Sequence, residues 1–377
     1  MAKQGFKVFD SDMHVLEPAD LWQKYMPASM KKHAPIGLTD WPMDLRVRLG
    51  HRNNPPHTGT GITTQTNRIN KDLLPQYTHD LERNFDATAQ VRAMDKEGID
   101  KTVLFPSRGL YASAFSDLEP KLSSAIARAY NDWLADFCRD GDPKRMFGSG
   151  MLPIHDVSLA IKEARRAVND LGFKAVFLRP NPVREGEYWE LPKYDPLWSE
   201  IESLDTALGF HEGMNSYQPT TGNDRWERGG KYALKHAVSH PLEQMQAVAA
   251  FTLGGVLHRH PKLRVGFLEG NGSWLPFWLW RLDEHLEWAG KVEHAELSMK
   301  PSEYFFRQAY VSVECEETPA KHAIDAVGDD VFVFSTDYPH PDAKYPGSTQ
   351  YFLKHMPISD ESKRKILWDN CLRLYKL

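Results

Sequence analysis

Cysteine is nearly absent. Cys138, Cys315 and Cys371 are the three in 377 residues, too few and too widely spaced for a disulfide framework or a paired-cysteine metal knuckle. The expected setting is therefore a reducing, cytoplasmic one. Runs of basic residues are also missing, and the net charge is −5. Without clustered Lys and Arg to meet phosphates, nucleic acid is excluded as the main partner. The longest apolar stretch, around 274–280, is interrupted and falls well short of the roughly 20 residues of a membrane-spanning helix. The opening MAKQGFKVFDSD holds no apolar signal core. No internal repeat, low-complexity tract or linker divides the chain, so residues 1–377 read as one domain. These absences leave a soluble enzyme with a small-molecule substrate, and with neither nucleic acid nor membrane as partner.

What is present is strand and helix in alternation. Eight short apolar runs end in polar, Gly or Pro residues, at 7–9, 102–105, 146–151, 175–178, 207–210, 264–268, 310–313 and 331–334. Several are continuous rather than alternating, as strands buried on both faces of a parallel sheet must be. Between them lie helical patterns. Leu122, Ile126, Tyr130, Trp133, Leu134 and Phe137 fall on one face of the clearest, and 157–171, 196–204 and 242–259 behave alike. Gly98, Gly172 and Gly209 stand where a helix hands over to the next strand. Eightfold alternation predicts a single (β/α)₈ barrel, with a doubly wound open sheet as the rival. Two stretches break the pattern, 35–77 and 216–230; both are expected to be long loops over the catalytic face.

Asp12 and His14 follow the first run and, two residues apart in extended chain, share a side. Such a triplet alone signals little. His211 follows the fifth run, however, and Asp337 the eighth. A barrel brings all strand C-termini to one face, so these four residues converge. Two carboxylates and two imidazoles suit a borderline divalent ion and leave room for water.

The segments FDSDMH, GFHEG, VGFLEGNGSWLPFWLWRLDEH and FSTDYPH, in that order, resemble the amidohydrolase-2 family, the aminocarboxymuconate-semialdehyde-decarboxylase-like branch of the amidohydrolase superfamily. The resemblance covers nearly the whole chain. It implies a (β/α)₈ barrel and one zinc or manganese ion held by Asp12, His14, His211 and Asp337. One position departs. Where decarboxylases of this branch place a catalytic His after strand 6, this chain has Glu269. A carboxylate can act as base or ligand but lacks the proton of an imidazolium.

Glu269, His240 and, one helical turn earlier, His236 are therefore candidates for a second ion, giving a dinuclear iron or manganese centre. His240 precedes Pro241, which suits the start of a helix. Asp337, Glu269 and His240 are the candidates for proton transfer. Arg179 and Arg108, after strands 4 and 2, could clamp a substrate carboxylate; Glu314, after strand 7, could contact substrate or support a ligand. Cys315 has no matched His and is not read as a nucleophile. His155 and Asp156 read as loop and helix cap. The aromatic WLPFWLWRLDEH helix reads as core, with a subunit contact as its second use; a homo-oligomer, or pairing with a related subunit, is expected. The leading functional expectation is hydrolysis by a metal-activated water. A dinuclear oxygenase or thioesterase and a decarboxylase stand behind it, the last disfavoured by Glu269.

Overall fold

The computed structural model describes residues 3–54, 74–184, 186–211, 232–340 and 342–377. In chain order the strands are β1 Phe9–Val15, β2 Ile36–Gly37, β3 Val47–Leu49, β4 Arg52–Asn54, β5 Lys101–Pro106, β6 Met146–Met151, β7 Ala175–Leu178, β8 Ala207–His211, β9 Arg264–Leu268, β10 Ala309–Glu314 and β11 Phe332–Ser335. Eight of them make one parallel sheet in the order β1-β5-β6-β7-β8-β9-β10-β11. Helices follow the strands around the outside, and the sheet curls into a nearly closed (β/α)₈ barrel.

The seam between β1 and β11 is closed by side chains. Ser11 Oγ donates to the Phe334 carbonyl at 2.8 Å, and Ser335 Oγ to the Asp12 carbonyl at 3.1 Å. The buried Asp10 carboxylate accepts from the Thr336 hydroxyl and from the Asp12 and Thr336 amides. Beneath the seam, in the C-terminal helix Asn370–Tyr375, the Tyr375 hydroxyl donates to the Ser11 carbonyl at 2.7 Å.

Buried strands and amphipathic helices arise where the apolar pattern places them. Pro120–Asp140 buries Ile126, Tyr130, Trp133, Leu134 and Phe137. Gly98, at φ 76°, ends Ala87–Glu97 in the left-handed conformation that suits a residue without Cβ. Asp156 caps Val157–Asn169 by accepting from the Leu159 amide at 2.8 Å, and His155 sits beside it between Ser123 and the Phe115 carbonyl. In Leu275–His285, Leu275, Leu279 and Leu282 are buried while Phe277 and Trp280 remain exposed, so only part of this aromatic helix is core. No helix among the described residues is long and apolar enough to cross a membrane.

Four sequence expectations need correction. β1 does not stop at Phe9; it runs to Val15 with a bulge between Asp10 and Met13, so Asp12 and His14 lie within the strand. Gly209 is not a handover glycine but sits inside β8, where a Cβ would lie 2.8 Å from the Phe105 ring. The stretch 35–77 is not all loop: β2, β3 and β4 form a small antiparallel sheet, and 74–77 is a short 3₁₀ turn. Pro241 does not begin a helix but lies inside Tyr232–Phe251. Residues 55–73 and 216–230, where lids were expected, fall outside the described residues.

The last helices are tied back to the barrel by one acid. Buried Glu97 accepts from the amides of Gly347, Ser348 and Thr349, the last two at 3.2 and 3.1 Å, and so holds the N-terminus of Ser348–His355. Glu97→Ala strands those donors and is expected to lower the unfolding free energy by about 2–3 kcal/mol, measured by urea denaturation at unchanged slope. A loss under 0.5 kcal/mol, the ordinary size of a surface substitution, would show that water replaces the carboxylate.

Candidate metal centre

Asp12 and His14 enter the barrel mouth from β1, His211 from the last residue of β8, and Asp337 from two residues beyond β11. His14 Nδ1 donates to the Pro106 carbonyl at 2.8 Å, which leaves the Nε2 lone pair facing the cavity. That Nε2 lies 2.9 Å from His211 Nε2, 3.4 Å from Asp337 Oδ1 and 3.5 Å from Asp12 Oδ1. His211 Nε2 lies 3.3 Å from Asp12 Oδ1. The Phe105 ring stacks beneath His211, with centroids 5.5 Å apart. All four donors anticipated from sequence therefore meet, and all are buried.

Glu269 joins them from the residue after β9, its Oε2 2.9 Å from His211 Nε2 and its Oε1 3.3 Å from His240 Nε2. Its loop is anchored by the buried Glu317 carboxylate, which accepts from the Gly272 and Ser273 amides at 2.8 and 2.7 Å. His240 is aimed by its helix. Four residues on, Gln244 donates to the carbonyls of Phe210 and Leu268, the residues preceding His211 and Glu269. One turn back, His236 stacks on His240 at 4.2 Å and meets Asp342 at 3.3 Å. Glu269 and Asp337, neither of them glycine, both hold positive φ, 48° and 56°. Such conformations persist where surrounding structure enforces them, and they gather at functional sites.

Burial and the mutual charges of these donors set the electrostatics. Burial pushes the Asp12 carboxyl up, and pushes Asp337 well above its usual range with help from Glu269, Asp342 and Asp12. Burial, His340 and His211 drive His14 well below the usual imidazole range. Burial acts the same way on His211, but Asp12 and Glu269 overcome it and lift that ring to about 10. Burial alone would raise Glu269, yet His211 and His240 hold it well below. Both Asp12 oxygens, Glu269 Oε2 and Asp337 Oδ1 accept no well-directed hydrogen bond, although imidazole nitrogens approach closely. Buried carboxylate oxygens and imidazole nitrogens clustered this closely are what a cation site requires. The ligand-capable atoms of Asp12, His14 and His211 lie within 4.8 Å of one another, as do those of His14, Glu269, Asp337 and His340. A single divalent ion fits this set.

The remaining candidates divide. Arg108 is not a substrate clamp: its guanidinium donates to the backbone carbonyls of Glu17, Leu38 and Asp44 and pins the β2–β4 sheet. Buried Arg179 donates to the Leu110 carbonyl at 3.2 Å. Glu314 closes β10, its carboxyl raised to about 8 by burial and by Glu317 and Asp342. Burial lifts the Cys315 thiol to about 12, consistent with an inert side chain. Two residues escaped the sequence reading. His340 places Nδ1 2.7 Å from Asp337 Oδ1, and Ser107 Oγ bonds its Nε2 at 2.9 Å. The only sequence signal was the spacing of His340 three residues after Asp337.

Similarity to known proteins agrees with this geometry. A γ-resorcylate decarboxylase from Rhizobium radiobacter is 27% identical over 297 residues, 76% of this chain and 86% of that protein. A 2-amino-3-carboxymuconate-6-semialdehyde decarboxylase from Dictyostelium discoideum is 25% identical over 299 residues, covering 78% of this chain and 77% of that one. Among solved structures, a dihydroxybenzoic acid decarboxylase from Polaromonas sp., with bound manganese and the inhibitor 2-nitroresorcinol, superposes with a TM-score of 0.67. It is 20% identical and covers 99% of this chain and 97% of that one. These relatives are decarboxylases, which overturns the expectation of a hydrolase and favours the decarboxylase alternative. The pattern of the family described as Amidohydrolase matches residues 10–377, and with an eight-stranded parallel barrel gathering its donors at one mouth, the chain belongs to the amidohydrolase family.

Proposed function

We propose that this chain is a metal-dependent decarboxylase that removes CO₂ from a small acid whose carboxylate sits on an aromatic or conjugated carbon. The observation that carries the reading is the convergence of Asp12, His14, His211 and Asp337 in a chain whose relatives, over three quarters of its length, are decarboxylases. In this reading those four residues hold one divalent ion, manganese by likeness to the Polaromonas enzyme. When bound, that ion supplies positive charge to the oxygens of an anionic substrate.

The chain's own residues manage the proton. Breaking the bond to CO₂ leaves its electron pair on carbon, and that carbon must then take a proton. Glu269 stands where decarboxylases of this branch carry a His, but an imidazole lies directly behind it. His240 Nδ1 faces the His236 carbonyl at 3.2 Å, which turns Nε2 toward Glu269 Oε1. His240 gives its Nε2 proton to Glu269, and Glu269 passes it to the substrate carbon; solvent then restores the proton to His240. Net, a carboxylate and one proton become CO₂ and a C–H bond. The pair thus supplies together what the carboxylate alone lacks.

The test is release of labelled CO₂ from carboxyl-labelled dihydroxybenzoates by the Mn²⁺-loaded protein. Failure across that set and across carboxylated conjugated aliphatic acids would sink the reading. His211→Ala is expected to lose both bound metal and turnover; activity persisting in the metal-stripped variant would contradict the scheme. His240→Gln is expected to retain metal while CO₂ release falls about 10²-fold or more, the usual scale of a lost acid or base. Unchanged turnover there would remove His240 from the proton path.

A further inference from the structure

We infer that His340 is a fifth donor to the cation of this centre, binding through Nδ1 while Ser107 fixes its ring. The inference rests on the metal-centre reading above. His340 is buried, and its ligand-capable nitrogen lies with those of His14, Glu269 and Asp337 inside one 4.8 Å cluster.

The division of labour between its two nitrogens carries the argument. A ligating imidazole gives one nitrogen to the cation and ties the other to a hydrogen-bond partner that fixes tautomer and orientation. His14 shows that division here, with Nδ1 on the Pro106 carbonyl and Nε2 in the cavity. His340 shows its mirror image: Nε2 bonds Ser107 Oγ at 2.9 Å, and Nδ1 faces the centre. A purely structural His340 would direct an Nδ1–H at Asp337. Yet Asp337 Oδ1 accepts no well-directed hydrogen bond, with His340 Nδ1 only 2.7 Å away. Nδ1 and Oδ1 are thus in contact without a directed hydrogen bond between them, which is how two neighbouring ligands of one ion would stand.

The supports of the ring are rigid. His340 stacks on His14 with centroids 4.0 Å apart and planes 28° from parallel. Ser107 is held in turn, since its amide and those of Arg108 and Gly109 donate to the buried Glu17 carboxylate at 3.3, 2.8 and 2.9 Å. Three imidazoles with two carboxylates favour a borderline transition metal over magnesium or calcium, which prefer all-oxygen shells.

Pulsed EPR of the Mn²⁺-loaded protein, carrying ¹⁵N-histidine, counts the imidazole nitrogens coupled to the metal. Coupling from three is expected in the wild type and from two in His340→Gln, with Mn²⁺ binding weakened. Ser107→Ala should keep three couplings but bind Mn²⁺ about 10- to 100-fold more weakly, the usual effect of losing an orienting partner. Two couplings in the wild type, or an equal count in wild type and His340→Gln, overturns the inference. Should His340→Gln fail to fold, the wild-type count alone decides. A wild type that binds no Mn²⁺ removes the metal centre itself, an outcome distinct from losing His340 alone.

Discussion

The centre depends on how the first strand is held against the last. A parallel sheet of eight strands has two edges, and here they meet through side chains rather than a full ladder of backbone bonds. Asp10 is the key. Its carboxyl, raised to about 7 by burial despite the Thr336 hydroxyl and the Asp12 amide, grips the turn that leads to Asp337. The His14 amide then donates to the Tyr338 carbonyl at 2.7 Å, one residue beyond Asp337. Asp12, His14 and Asp337 thus owe their relative positions to one seam. The bulge in β1 belongs to the same device, since it lets the strand bend toward the mouth while keeping Asp12 and His14 on the inner side.

Opposite the seam the logic is helical. Tyr232–Phe251 is a separate element, yet Gln244 fastens it to the ends of β8 and β9 at once, so His240 reaches Glu269 in a fixed register. Glu269 is the residue that follows β9, and His240 stands directly behind it in space. The two are far apart along the chain, so only the fold shows them side by side.

The four donors were legible because a barrel converts strand order into spatial convergence, and Asp12, His14, His211 and Asp337 each sit at or near a strand end. Their extent within elements was less so. Along the sequence the first strand reads as ending at Phe9, because polar DSDMH resembles a loop, yet that segment still pairs with β5. Arg108 differs for a related reason: a guanidinium after a strand suggests a clamp, and nothing local reveals the three backbone carbonyls of Glu17, Leu38 and Asp44 that take it up. Ser107 and His340 were invisible because 233 residues separate them and their significance lies in which nitrogen faces which partner. Pro241 hid a helix that runs through it.

The seam also carries a temporal consequence. Its bonds join residues 323 positions apart, nearly the whole chain. During synthesis Asp12 and His14 emerge first and wait unpaired until Asp337, almost the last part of the barrel, is made. Contacts of such sequence separation are slow to form, so Asp12, His14 and Asp337 come together only as the barrel closes. A chain that stopped short of β11, whatever else it folds, would hold Asp12 and His14 without Asp337.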